Sequence, residues 1–394
     1  MRKASIIIAA CILLGPSAFG QMVRLNGNGY NPGVYFDVGR VWSYNLYEHS
    51  RWGAGVELRG SNGLWNADAW LGYSFYAKLL SCGTYGEWTT RSGTWLAGAD
   101  RSLVAVGRRS LAAYTLSDLG SLSAFMTRRM SGRNTLTVGH RHMLPRGSVE
   151  GRFSVYQGHR LYDNKGLLYA KDGDALARED GWEATVNGEW RVRGGKLKGQ
   201  CMLGEVNPGG RAFLRTIGQY EWRVERAGWR VESLIQSGLV SSEAPYPYRF
   251  DLGGTWGAPF CFSNTLLTAR PNEFTADAYL FASVRLEAAS PLYNIFNGLF
   301  VVGSMPVPFV GLNAAWGLLR GMDADGTVVH DGLLLQAPYL GIVEPVAGVD
   351  GLLRWGLVDW GVAAAWRIVP YGASYRYTKV SNNLSLMVTA KLIL

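Results

Sequence analysis

The residues best suited to chemistry are the two histidines of His140-Arg141-His142. Histidines at i and i+2 share one face of a strand, where they can bind a metal or activate a serine. Here that face also carries Leu136, Val138 and Leu144, while Thr135 and Thr137 lie opposite. The parity therefore predicts two rings on an apolar face, near a strand end and at a membrane interface. A catalytic or metal site needs converging partners, and none accompanies them. Asp172-Gly173-Asp174 lacks the other ligands of a calcium loop and reads as solvated loop. His49, His159 and His330 stand in no motif. GxSxG, HExxH, the P-loop and a βαβ-placed GxGxxG do not occur. No catalytic residue, no metal site and no cofactor is expected.

Four cysteines are present. Cys11 lies in an N-terminal apolar run. Cys82, Cys201 and Cys261 show no CxxC and no dense spacing, which argues against a thiolate zinc site and a disulfide framework. One pair can still join in an oxidising compartment.

A second group of candidates is charged rather than catalytic. Glu183, Glu189, Arg191, Arg193, Asp277, Arg285, Glu287, Asp359 and Arg367 share the polar side of alternating segments. They are expected to line a lumen, either as a charge ladder that fills and stiffens it or as the wall of a polar conduit.

Such residues need long strands to carry them, and the alternation is plain. Trp182, Ala184, Val186, Gly188, Trp190 and Val192 oppose Glu183, Thr185, Asn187, Glu189 and Arg191. From Phe274 to Ala288, Phe274, Ala276, Ala278, Leu280, Ala282, Val284 and Leu286 oppose Thr275, Asp277, Ser283, Arg285 and Glu287. Trp65–Phe75 and Val358–Ile368 repeat the pattern. These strands run about 10–14 residues, against about 5–6 in ordinary soluble proteins. A tilted strand needs about 9–11 residues to cross a bilayer. One apolar and one charged face suits a wall between lipid and water. Trp and Tyr near strand ends, as at Trp88, Trp95, Trp190 and Trp366, fit interfacial girdles.

Composition agrees. Of 394 residues 51 are glycine, 12% are aromatic and only 18% are charged. Disorder is excluded, because aromatics abound and charge is sparse. The charge-free stretch from Ala288 to Leu319 is broken by prolines and asparagines, so it is no spanning helix. Pro291 to Trp316 reads as a hydrophobic hairpin or as a segment folded into the lumen, since proline removes ladder donors. Gly158–Asp180 and Ser241–Pro271 read as surface loops.

The chain opens with Met1-Arg2-Lys3, an apolar run from Ala4 to Leu14, and Ala18-Phe19-Gly20. That order predicts a secretory signal over residues 1–20 and a mature chain of 21–394 forming one domain. Losing Arg2 and Lys3 leaves 37 basic residues against 30 acidic, a surplus of +7. No run of five to eight Lys/Arg marks a nucleic-acid site. Leu384, Leu386, Val388, Ala390, Leu392 and Leu394 form a final apolar face, similar to the terminal strand of bacterial outer-membrane barrels, although those usually end in an aromatic residue.

Three blocks also resemble one family. Ser43-Tyr44-Asn45 with Glu48, Arg51, Gly53, Gly55 and Glu57 resembles its opening, with His49 in place of a glycine. Asn272-Glu273-Phe274 with Asp277, Tyr293, Phe296-Asn297-Gly298-Leu299 and Pro306 resembles its central block. Pro338-Tyr339, Gly348-Val349-Asp350, Val358, Asp359 and Trp366-Arg367 resemble its closing strands. The family is that of uncharacterised Bacteroidota outer-membrane barrels often found behind a carboxypeptidase-like regulatory domain. The resemblance covers Val41–Leu394, so this chain reads as the barrel portion alone.

The expected fold is all-β, a transmembrane antiparallel β-barrel of about 16 strands (range 14–18) with a polar lumen. The expected role is structural, assembly or transport, porin-like and non-catalytic, in the cell outer membrane. An outer-membrane enzyme acting on lipid or lipopolysaccharide is one alternative, and a secreted glycan-binding β-protein another. Expected partners are outer-membrane lipid and lipopolysaccharide, the barrel-assembly machinery, and a surface lipoprotein or periplasmic protein, but not nucleic acid.

Overall fold

A computed structural model describes residues 33–36, 42–45, 49–60, 63–107, 130–163, 166–167, 178–207, 210–226, 228–253, 266–269, 272–288, 306–330, 332–355, 358–368 and 383–392. The expected signal over residues 1–20 lies outside them. The described chain is all-β. Its one helical element among the described residues is a single 3-10 turn, Tyr246–Tyr248.

Seventeen strands join in one sheet. Gly33–Phe36 and Trp42–Asn45 pair in tandem along one edge of His49–Arg59 and share a single strand position. Sixteen positions result among the described residues, within the expected range of 14–18. Within each of the two runs that follow, pairing keeps chain order and is antiparallel. His49–Arg59 is followed by Trp65–Ser74, Leu79–Thr90, Gly93–Ala105, Met130–Leu144, Gly147–Arg160 and Asp180–Val192. Trp229–Val240 is followed by Ala278–Ala288, Val307–Leu318, Ile342–Trp355, Val358–Trp366 and Leu384–Leu392. The meander suits antiparallel hairpins, which need only short turns between neighbours.

Contacts divide the chain into two compact units. The first holds Met1–Trp190, Gly199–Thr216 and Val240–Tyr248; the second holds Arg191–Lys198, Ile217–Leu239 and Arg249–Leu394. In the first, residues 91–92 and 145–146 make two-residue turns at one end of the strands, while 106–129 and 161–179 make long connections at the other. In the second, residues 227–228 and 356–357 are short turns, whereas 241–277 and 319–341 are long.

Burial is inverted relative to a soluble protein. Leu136 is 60% exposed, Leu386 77% and Trp366 56%, yet Arg215 is 4% exposed, Arg367 2% and Glu344 0%. Along Met130–Leu144, Leu136 and Val138 are exposed while Ser131 and Arg133 are buried. The period of two thus separates an apolar outward face from a polar inward face. Aromatics mark the strand ends in the first unit. Trp65, Trp88, Trp95 and His140 are direct partners across four neighbouring strands. Tyr73, paired with Trp52, sits at the other end, eight residues along the strand from Trp65. Eight residues cover about 26 Å. A tilt of about 35–45° reduces that to roughly 20 Å, close to the height of a membrane-barrel apolar band.

Four expectations are corrected. Ser241–Pro271 is not a surface loop where it is described. Ala244, Tyr246, Phe250, Leu252, Leu266 and Leu267 are all at most 1% exposed. An irregular stretch can still pack its apolar side chains, and loop-like composition does not report that. Gly158–Asp180 is likewise mixed, since Leu161 and Glu179 are buried. Pro291–Trp316 is not a hairpin: Val307–Leu318 is a strand within the sheet, and residues 291–305 lie outside the described residues. Pro308 is tolerated because it faces Val349 on one side, beyond the Glu287↔Phe309 pair that ends the register on the other. Finally, Phe274 and Ala276 are buried, not outward. The run breaks at Asp277: Thr275–Ala276 pairs with Phe250–Asp251, and only Ala278–Ala288 joins the large sheet.

Candidate functional site

The inward faces carry dense polar networks, and the described residues after Val240 pack into them. Glycines on the strands make room for it. A Cβ at Gly238 would lie 2.4 Å from Tyr279 and 2.8 Å from Phe250; one at Gly317 would lie 2.9 Å from Ala276 and 3.1 Å from Leu252.

In the first unit the segment is held through Tyr248. Its hydroxyl donates to Glu183 Oε1 and lies 2.8 Å from the Tyr156 hydroxyl. Arg133 Nη1 donates to Glu183 Oε1 at 3.0 Å and to the Tyr248 oxygen at 3.3 Å. The Arg133 guanidinium also lies 4.0 Å from the Tyr156 ring. The Tyr248 ring packs 4.1 Å from Phe213, and its carbonyl accepts from Arg215 Nε at 3.0 Å. Arg215 continues to Gln200, and Gln200 to Asn187. Burial pushes the Tyr248 hydroxyl well above its ordinary range, with Arg133 pulling the other way.

In the second unit the segment is held by its backbone at Leu267 and Thr268 and by side chains at Thr268, Glu273 and Asp277. Glu344 accepts from Leu267 N at 2.8 Å, Thr268 N at 2.9 Å, Thr268 Oγ1 at 2.7 Å and Asn313 Nδ2 at 3.1 Å. Arg367 donates to the Thr268 carbonyl at 2.7 Å, to Thr268 Oγ1 at 3.1 Å and to Glu273 Oε1 at 2.7 Å. Arg249 donates to Asp277 Oδ1 at 2.5 Å, and Asp277 Oδ2 accepts from Arg320 N at 2.9 Å. Buried charges of this kind persist only when paired and hydrogen-bonded.

The candidate charges are thus placed as follows. Glu183, Asp277, Glu287 and Arg367 are buried. Arg285 reaches Asp350 at 2.5 Å and Glu287 at 2.9 Å, and lies over the Phe309 ring. Glu287 also pairs with Arg230. Glu189 is half-buried, and Arg191 and Arg193 are exposed at the strand end and the turn after it. The side chain of Asp359 lies outside the described residues. Glu183, Asp277 and Arg367 each pair with a different partner, and Arg285 and Glu287 share a network with Arg230 and Asp350, so the candidates do not converge on one site.

The sequence reading missed Arg133, Tyr248 and Glu344. Arg133 was legible, since it shares parity with Thr135 and Thr137. Glu344 shares the parity of Ile342 and Val346, so alternation hid it. Tyr248 lies outside any periodic segment. His140 packs 4.7 Å from Trp95, and His142 Nδ1 lies 2.9 Å from the Ser92 carbonyl, so each ring has a structural neighbour. Cys82 and Cys201 are free thiols, and Cys261 lies outside the described residues. Among the described residues no group of three His, Cys, Asp or Glu is placed to hold a metal.

No protein-family model and no curated protein matches the sequence. Among solved structures, CdiB from Escherichia coli aligns over 89% of this chain and 61% of its own, at 12% identity and a TM-score of 0.47. CdiB from Acinetobacter baumannii covers 89% and 58%, at 9% identity and 0.46. OccK5 (OpdH) from Pseudomonas aeruginosa covers 91% and 96%, at 9% identity and 0.33. The chain spans about three-fifths of the length of the two CdiB chains. At these scores the likeness carries no function across.

Proposed function

We propose that the protein is an integral outer-membrane β-barrel of the transport or assembly class, whose polar inward faces are covered by its own residues 241–253, 266–269 and 272–277. The observation that carries this is the inverted sheet: large apolar side chains exposed outward, paired charges buried inward. In water the outward face would expose a large apolar surface; against hydrocarbon it is satisfied. In the first unit the two-residue turns 91–92 and 145–146 at one strand end, and the long connections 106–129 and 161–179 at the other, also suit a barrel with extracellular loops and periplasmic turns. The signal-like N-terminus and the likeness to Bacteroidota barrels belong to the same reading. Transport then requires the 241–277 segment to move from the inward-facing contacts described above.

The first test is location. The protein should fractionate with outer membranes, resist carbonate extraction and migrate differently on gels before and after boiling. Release by carbonate would sink the reading. Facing is tested by Val138→Lys, which sets a charge on the outward face at a cost of about 2–4 kcal/mol near the midplane. Thr137→Lys, on the inward face, should cost clearly less. Plugging is tested in planar bilayers: deletion of residues 242–272 in a protein that still shows the boiling shift should raise conductance above that of the parent. Equal conductance of the two folded proteins would remove the plug from the proposal.

A further inference from the structure

The outward face of the first unit contains one feature that lipid contact alone does not explain. Between Leu79–Thr90, Gly93–Ala105, Met130–Leu144 and Gly147–Arg160 lies a groove of about 680 Å³. Each strand contributes two outward residues. Thr84, Ala99, Leu136 and Val155 form an apolar floor, and Arg101, Asn134 and Gln157 form a polar lip. The register makes each lip residue a direct partner of the next: Cys82↔Arg101, Arg101↔Asn134, then Asn134↔Gln157. The groove exists because Cys82, Thr84 and Ala99 are small while Leu136 and Val155 flank them.

Arg101 follows the parity of Trp95, Ala97 and Ala99, and Asp100 and Ser102 point the other way and bond to each other. Within the strands of the first unit, Arg101 is the one described cation of outward parity. It makes no ion pair among the described residues and is exposed, as are Asn134 and Gln157. The inward cations nearby show the contrast: Arg133, Arg141 and Arg152 all hold carboxylates. An unpaired arginine on an apolar face belongs at the membrane interface, where its stem can lie along hydrocarbon and its head can meet polar groups. The lip is on the side of the long connections, 106–129 and 161–179, and the exposed aromatics Phe75 and Tyr76 sit on the adjoining hairpin.

From this geometry we infer that the groove is a specific site for an outer-leaflet lipid with a phosphate-bearing headgroup. The inference rests on the membrane reading above and adds to it the class of lipid and its contacts. Arg101 takes the phosphate through charge-assisted hydrogen bonds, which a guanidinium makes bidentately. The Asn134 and Gln157 amides donate to further headgroup oxygens, and acyl chains lie on Thr84, Ala99, Leu136 and Val155.

The test uses the full protein, folded and in detergent, with native mass spectrometry. The probes are bisphosphorylated lipid A, the same lipid without phosphates, and inorganic phosphate. Wild type should retain the phosphorylated lipid at least tenfold better than its phosphate-free form, and Arg101→Gln should abolish that difference. Asn134→Ala/Gln157→Ala should lower retention by a smaller factor, and provides the test if Arg101→Gln gives no folded protein. Inorganic phosphate in millimolar excess should not displace the lipid. Equal retention of both lipids by wild type, no effect of either variant, or displacement by inorganic phosphate would overturn the assignment. Membrane location is read separately by carbonate extraction, so failure of the site and failure of the barrel reading give different results.

Discussion

The two ends of the inward segment are held by different chemistry. In the first unit the contact is side chain to side chain. The Tyr248 hydroxyl sits among Glu183, Arg133 and Tyr156, while Arg215 and the Gly107 amide reach the backbone at the Tyr248 and Pro247 carbonyls. In the second unit, Glu344 and Arg367 grip the chain itself at Leu267 N, Thr268 N and the Thr268 carbonyl. A grip on the backbone does not depend on which side chains the segment carries. A grip on one hydroxyl can be tuned, or released, by one substitution or one proton. The comparison teaches that the Tyr248 end is the one suited to release, and the Glu344–Arg367 end the one suited to remain anchored.

The largest expected effect comes from the anchor. Arg367→Ala breaks the buried Arg367–Glu273 ion pair and removes three donated hydrogen bonds, at a cost of about 3–5 kcal/mol. The urea midpoint of the folded protein should fall accordingly. A fall no larger than that of Tyr248→Phe would erase the distinction between the two ends.

Glu344→Gln ranks next. It keeps the shape but turns one acceptor oxygen into a donor facing the donors at Leu267 and Thr268. The loss should be about 1–3 kcal/mol. Because Glu344 and Arg367 share Thr268, the double variant should lose less than the sum of the two singles. Strict additivity would mean that they do not act on one anchor.

Tyr248→Phe removes the hydroxyl and keeps the ring against Phe213. A loss of about 1 kcal/mol is expected, with raised conductance in bilayers if this is the releasing end. Unchanged conductance in a stably folded variant would count against release there.

The smallest effect is on pH. The hydroxyl of Tyr248 is held neutral, above its ordinary value, by burial. Its contribution is therefore complete below the unfolded tyrosine value of about 10 and declines as pH rises beyond it. Urea titrations from pH 9 to 11 should show an alkaline loss in the parent that is smaller in Tyr248→Phe. Parallel curves would remove the neutral hydroxyl from the account.

Much of this was legible beforehand where a residue's neighbours are its own sequence neighbours. The outward Leu136 and Val138, the inward Glu183, and the strand count all follow from period two and segment length. Arg101 was legible too, as a cation on the parity of Trp95 and Ala99, but its meaning needed the groove formed by four strands. The reading failed where irregular sequence packs onto remote strands. Phe274 and Ala276 continue an alternation that the chain abandons at Asp277, and Ser241–Pro271 has the prolines and glycines of a surface loop.

Local pattern alone decided that this chain forms long antiparallel strands with one apolar and one charged face, because side-chain direction in a strand repeats every two residues whatever lies elsewhere. Only the tertiary structure decided which charges meet. Glu273 and Arg367 are 94 residues apart in sequence and 2.7 Å apart in space. No periodicity encodes that distance: it depends on sheet register and on how an irregular segment buries its polar groups. Burial without partners costs too much to persist, so the fold, and not the spacing, selected Glu344 for the Leu267–Thr268 amides and Tyr248 for Glu183.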